Sequence, residues 1–125
     1  MTEHKEFHYL TVEEVAPLLR DREVSPVELL EAYLGRIEEV EPSLNSYILV
    51  TKKHARLEAK KAESEIIRGR YKGPLHGIPF ALKDVVSVAG IPNTAGCKVY
   101  SDAISKSDAL IVRQLRDAGS ILLGK

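Results

Sequence analysis

A single cysteine, Cys97, leaves no partner for an internal disulfide and suits a reducing compartment. Charge of one sign is missing too: 18 basic side chains meet 18 acidic ones, which removes the broad electrostatic case for nucleic acid or an acidic membrane. No apolar run approaches the ~20 residues that a membrane helix needs. The opening Met1-Thr2-Glu3-His4-Lys5-Glu6 is polar and lacks the apolar core of a secretion signal. Internal repeats, low-complexity tracts and obvious interdomain linkers are absent. These absences read as a cytoplasmic protein. With 44% hydrophobic and 29% charged residues, the 125-residue chain belongs with folded rather than disordered proteins. Its length suits one modest domain or a part of a larger one.

What is present begins with helix signals. Thr11-Val12-Glu13-Glu14 is a capping box, and a short helix packing Val15, Leu18 and Leu19 should follow, bent or shortened by Pro17. Ser25-Pro26-Val27-Glu28 starts a second helix, carried by Val27, Leu30, Leu34 and Ile37 and ended at Glu41-Pro42. Tyr47-Ile48-Leu49-Val50 reads as a buried strand. From Lys52 to about Arg68, Ala55, Ala59, Ala62 and Ile66 form one apolar stripe. The lysines and arginines beside it could suggest an RNA-binding face, but the interspersed Glu58, Glu63 and Glu65 favour a solvated one.

Apolar runs follow at Ile78 to Leu82 and at Val85-Val86-Ser87-Val88, then a loop from Gly90 to Gly96. Ser107-Asp108 can cap a helix through Ala118 whose apolar surface is Leu110, Ile111, Val112 and Leu115. Gly119 fits the left-handed position after it. Ile121-Leu122-Leu123 begins a buried strand, so strand, helix and strand imply parallel pairing. Gly124-Lys125 follows with no turn, cap or polar tail, which predicts the amino-terminal piece of a longer chain.

Lys83 is the anomaly, because lysine is among the residues least often buried and here it ends an apolar run. Side chains alternate along a strand, so Ala81 and Lys83 share one face, while Phe80, Leu82 and Asp84 share the other. Asp84 should therefore point away from Lys83. An amine enclosed in a dry pocket can reach the neutral range, about three units below ~10.4, at roughly 4 kcal/mol. It can then serve as base to a serine nucleophile. Physics alone favours the other reading, a strand-end lysine reaching water.

The surrounding residues shift that balance. Gly73-Pro74-Leu75-His76-Gly77-Ile78-Pro79-Phe80-Ala81-Leu82-Lys83-Asp84 resembles the lysine-bearing motif of the amidase signature family. The likeness runs on through Ala89 to Cys97, Ser107-Asp108-Ala109, Val112 to Gly119 and Leu123-Gly124-Lys125, and covers nearly the whole chain from about Thr11. The resemblance implies an α/β fold with amino-terminal helices on a mixed, largely parallel sheet. Residues 1–125 would be the amino-terminal part of a single amidase-signature domain, incomplete here. It also implies hydrolysis of a carboxamide C–N bond by a serine nucleophile, a bridging cis-serine and a lysine, with no cofactor or metal. Only Lys83 matches that machinery. The Gly/Ser-rich run that carries the serines is absent, so Ser87, Ser101, Ser105 and Ser107 are not assigned to it. Val85-Val86, Asn93 and Cys97 depart from the family's frequent residues and leave the substrate open.

The substrate implied is a small-molecule amide, with no membrane or direct nucleic-acid partner; assembly would be as a homodimer. The alternative within the family is the ammonia-supplying component of the glutamyl-tRNA(Gln) amidotransferase, which works with partner subunits. Leu75-His76-Gly77-Ile78-Pro79 and Val85-Val86 lean towards the stand-alone amidase. An alternative of another class is a non-catalytic interaction protein whose exposed sheet edge pairs with another chain. Cys97 reads as a packed small residue rather than a nucleophile. His4 and His8, with Glu3 and Glu6, have metal-compatible spacing but read as a frayed terminus. His76 could line the lysine's pocket or hydrogen-bond within its own loop.

Overall fold

The computed structural model describes residues 6–125; Glu3 and His4 of the candidate metal spacing lie outside them. Four helices and two strands occur in the order α1 (Val12–Arg20), α2 (Pro26–Leu44), α3 (Lys52–Ile67), β1 (Pro79–Ala81), α4 (Leu110–Asp117) and β2 (Ile121–Gly124). Both capping boxes form as the sequence predicts. The Thr11 and Ser25 side chains accept the Glu14 and Glu28 N–H groups, and each glutamate reaches back to the cap's own N–H. Pro17 lies inside the nine-residue α1.

Pro42 does not end α2, contrary to expectation. The helix continues to Leu44, because a proline so near the end forfeits a single intrahelical bond. Asn45 sets the exit instead. Its backbone turns left-handed (φ 50°, ψ 43°), and its N–H closes on the Glu41 carbonyl at 2.9 Å. The Glu41 carboxylate then takes the Tyr47 N–H at 2.7 Å and the Ser46 hydroxyl at 2.9 Å.

β1 and β2 pair in parallel, Pro79 opposite Ile121 and Phe80 opposite Leu122, with α4 as the crossover. Alternation along β2 divides the core. Ile121 and Leu123 join Leu30, Leu34 and Ile37 of α2 and Ala55 and Ala59 of α3. Leu122 faces the other way, onto Val88 and Val112, with Phe80 and Leu82 packed alongside. A third cluster joins Val15 and Leu19 of α1 to Val24, Leu29 and Ile78. The sheet thus lies between α2–α3 and α4.

Residues 47–50 do not form the buried strand that their composition predicts; they are an irregular flank of β2. Val50 forms one antiparallel bridge with Gly124, and Ile48 is exposed. The cause is spacing: Glu41 holds one end of this segment and Thr51, at the start of α3, holds the other. Along α3 the predicted stripe of Ala55, Ala59, Ala62 and Ile66 is the buried face. Glu58 and Glu65 were expected in solvent, yet both border that stripe and point inward. Glu58 Oε2 accepts the Leu122 N–H at 2.9 Å, and the Thr51 hydroxyl donates to the Leu122 carbonyl at 2.9 Å. Asp108 is not a helix cap either. It accepts from the Ala89 N–H at 2.7 Å and from Arg116 at 2.6 Å, leaving Ala109 to start α4 without a side-chain cap. Of the α4 apolar residues only Val112 is fully covered; Leu110 and Ile111 are exposed. Among the described residues no helix is long and apolar enough to cross a membrane.

Glu65 holds the loop before β1. Its Oε2 meets His76 Nε2 at 2.9 Å and Lys72 Nζ at 3.1 Å, while His76 Nδ1 accepts the Lys72 N–H at 3.0 Å. His76 is completely buried and lies against the Tyr71 ring. With Nδ1 accepting, the neutral ring carries its proton on Nε2 and donates to Glu65. Burial pushes the His76 pKa down, the Glu65 carboxylate pulls it up by less, and the Lys72 charge opposes protonation further. Folding then disfavours a proton that the unfolded chain accepts near ~6.5. Stability should therefore fall as pH drops below about 6.5, because the unfolded state binds more protons there. Thermal melts from pH 7.5 to 5 check this. His76→Gln should flatten the first part of that fall, and an unchanged profile would remove His76 as its source.

Candidate active site

The carboxyl ends of parallel strands are where an open α/β sheet presents its chemistry. β1 ends at Ala81, Leu82 continues the pairing by donating its N–H to the Gly124 carbonyl at 3.0 Å, and Lys83 follows. The Lys83 carbonyl accepts the Val86 N–H at 3.0 Å, so the chain turns directly after it. The expected division of faces is present. Lys83 is exposed, and Asp84 is turned inward. No hydrogen bond or ion pair engages the Lys83 side chain among the described residues. The closed pocket considered from sequence is not formed by residues 6–125, since β1 has a strand on one side only.

Asp84 is held by residues from two other parts of the chain. Its Oδ2 accepts from the Thr94 hydroxyl and from the Thr94 N–H at 3.2 Å, and its carbonyl accepts the Ala95 N–H at 2.8 Å. Its Oδ1 lies 2.9 Å from Lys125 Nζ. Lys125 was read from sequence only as part of an abrupt end, and its side chain is 0% exposed. The same ammonium donates to the Pro92 carbonyl at 3.0 Å and to Asn93 Oδ1 at 3.2 Å. The ammonium thus has one ionic partner and two hydrogen-bond acceptors. Burial raises the Asp84 pKa, but the hydrogen bonds from Thr94 and Lys125 outweigh it and hold the carboxyl below its ordinary range. Removing one partner of a pair this buried costs about 3–5 kcal/mol.

Gly124 makes that approach possible. A Cβ there would stand 2.1 Å from the Leu49 carbonyl oxygen and 3.1 Å from the Tyr47 ring. Lys125 also exchanges backbone hydrogen bonds with Leu49, at 2.9 and 3.2 Å.

Other sequence candidates fall elsewhere. His76 belongs to the Glu65 network and does not line the lysine's surroundings. Cys97, expected to be packed, is exposed. It borders a hollow of about 320 Å³ with Asp84, Thr94, Lys98, Ser101 and Ile48. The two residues before it, Ala95 and Gly96, are both at positive φ. Sequence reasoning missed Lys125 as the partner of both Asp84 and Asn93, because nothing local marks a contact across more than 30 residues. The one available signal was the apolar strand running straight into Lys125, which places that lysine beside the end of β1.

Comparison with known proteins shows what the chain is similar to. The amidase family model matches residues 28–125. An amidase of Pseudomonas putida is 42% identical over 116 residues, covering 93% of this chain and 24% of that relative. The A subunit of glutamyl-tRNA(Gln) amidotransferase from Carboxydothermus hydrogenoformans is 38% identical over 120 residues, covering 96% and 25%. The X-ray structure of native peptide amidase from Stenotrophomonas maltophilia superposes with a TM-score of 0.89 at 34% identity, covering 95% of this chain and 25% of that one. The chain therefore spans about a quarter of the length of these relatives. Its four helices and small parallel sheet are shared with that solved structure. On sequence and on fold alike, the chain belongs to the amidase family.

Proposed function

We propose that the protein carrying this chain hydrolyses a carboxamide C–N bond, with Lys83 as the proton acceptor of a Ser–cis-Ser–Lys mechanism. The observation that carries this reading is the separation of the adjacent charges. Asp84 is committed to Lys125 and Thr94, so the Lys83 amine stands just past β1 without a counter-ion among the described residues. An amine that is not held in an ion pair is the one that can lose its proton and act as a base.

In the proposed cycle the unprotonated amine takes a proton from the cis-serine, which takes one from the nucleophilic serine. The serine oxygen attacks the amide carbonyl, and backbone N–H groups of a Gly/Ser-rich loop stabilise the oxyanion. The leaving amine departs with a returned proton, and water releases the acid from the acyl-enzyme. The two serines and the wall that encloses Lys83 are assigned to the part of the relatives' length this chain does not span. We take residues 1–125 as the amino-terminal part of that single domain.

The amidotransferase relative favours a second reading, in which the amide is glutamine and the ammonia passes to partner subunits. Release of ammonia from simple carboxamides by the purified intact protein, without copurifying subunits, is the expected result. Activity confined to glutamine with bound partners would replace the first reading with the second. No release from any amide would leave neither standing.

A further inference from the structure

We propose that Lys125 is a positioning residue for Lys83, acting through its ion pair with Asp84 and its hold on the Pro92–Asn93 loop. The kinetic part of this rests on the assignment of Lys83 as base; the structural part does not.

The geometry places residues 124 and 125 on both sides of Lys83. Ahead of it, the Gly124 carbonyl takes the Leu82 N–H at 3.0 Å. After it, Lys125 Nζ lies 2.9 Å from Asp84 Oδ1. The same ammonium donates to the Pro92 carbonyl and to Asn93 Oδ1, at 3.0 and 3.2 Å. That loop in turn fixes Asp84 through Thr94 and Ala95. Residues 82, 83 and 84 each have a backbone group tied by a hydrogen bond, and the Lys83 side chain engages no partner among the described residues. A buried ammonium held by a carboxylate and two hydrogen-bond acceptors has little freedom, so it sets the Cα position of a residue it never touches. Such placement matters, because a displacement of about 1 Å can cost about 10²-fold in rate.

The pair also controls charge. Lys125 neutralises a carboxylate one residue from Lys83. The only other charged group lining the hollow beside Asp84 is Lys98. Without Lys125, the unpaired Asp84 carboxylate favours the protonated form of Lys83. Without the Asp84 charge, the unpaired Lys125 disfavours it. The two single variants must therefore act in opposite directions, which loss of packing alone cannot produce.

The test uses the intact protein as wild type, Lys125→Met, Asp84→Asn and the double variant. Lys83 is followed in two ways, by the acid limb of kcat/KM and by the midpoint of its competitive acetylation against pH, read by mass spectrometry. Lys125→Met should lower kcat about 10²-fold with KM within about twofold. It should also raise both midpoints, whereas Asp84→Asn lowers them. The double variant should bring them back towards wild type. Midpoints that do not move, or that move the same way in both single variants, overturn the proposal. If Lys125→Met does not fold, Asp84→Asn and the double variant decide by the same criterion. If the wild type hydrolyses no amide, the proposed function fails on its own, while acetylation still decides the role of Lys125.

Discussion

Lys83→Ala lowers kcat/KM for amide hydrolysis by about 10²–10⁴-fold, the range of a lost general base. The melting temperature should change little beside the loss in rate, because no hydrogen bond or ion pair to the described residues is lost. This separation of activity from stability distinguishes a base from a framework residue. Lys83→Arg sharpens it. A guanidinium keeps the charge and most of the reach but stays protonated, so it should be as inactive as alanine. Activity retained by the arginine variant would mean that Lys83 supplies a positive charge rather than accepting a proton. Activity retained by alanine would take the residue out of the chemistry altogether. The assay is amide hydrolysis by the intact protein, with a thermal melt of each variant.

Gly119→Ala should destabilise the protein severely for the addition of one methyl group. Gly119 follows α4 with φ at +82°, a conformation that costs an L side chain about 1–2 kcal/mol. Its carbonyl also accepts the Gly77 N–H at 2.9 Å, so the backbone is tied and cannot relax freely. The new Cβ would lie 2.3 Å from His76 Cδ2 and 3.0 Å from Cγ and Nε2. That ring cannot step aside, since both of its nitrogens are bonded and it is fully buried. Overpacking of this kind costs about 1–3 kcal/mol, for a total of about 2–5 kcal/mol in a denaturant melt. Adding His76→Ala removes the ring but not the backbone strain. The double variant should therefore be less destabilised than the sum of the two single ones. Strict additivity would show that the two residues do not meet.

Local rules predicted the local features. Both capping boxes, the α3 stripe, the glycine after α4 and the alternation that sends Asp84 away from Lys83 depend on neighbours within a few residues. The family likeness extended that reach to the lysine. What could not be read locally was decided by partners far along the chain. Asp108 has a capping residue's chemistry but is captured by Ala89 and Arg116, 19 residues before and eight after it. Glu58 has a solvated residue's chemistry but meets a backbone N–H 64 residues away. Pro42 breaks a rule only weakly, because Asn45 and Glu41 already define where α2 stops. Lys125 reads in the sequence only as the residue after an apolar strand, and the pairing of β2 with β1 is what brings its ammonium to Asp84.

The bonds that Glu58 and Thr51 make to Leu122 bear on how the sheet can be extended. A strand with open N–H and C=O groups is a template for any other strand. On this side of β2 the template is already filled. Side chains of α3 and its cap take both backbone groups of Leu122, the Thr51 N–H takes the Leu123 carbonyl, and Ile48 and Leu49 occupy Lys125. β1 has no such cover on its far side among the described residues. The sheet is thus closed at one margin and open at the other, and the open margin belongs to the strand that leads into Lys83. Whatever pairs there is brought alongside that lysine by the pairing itself.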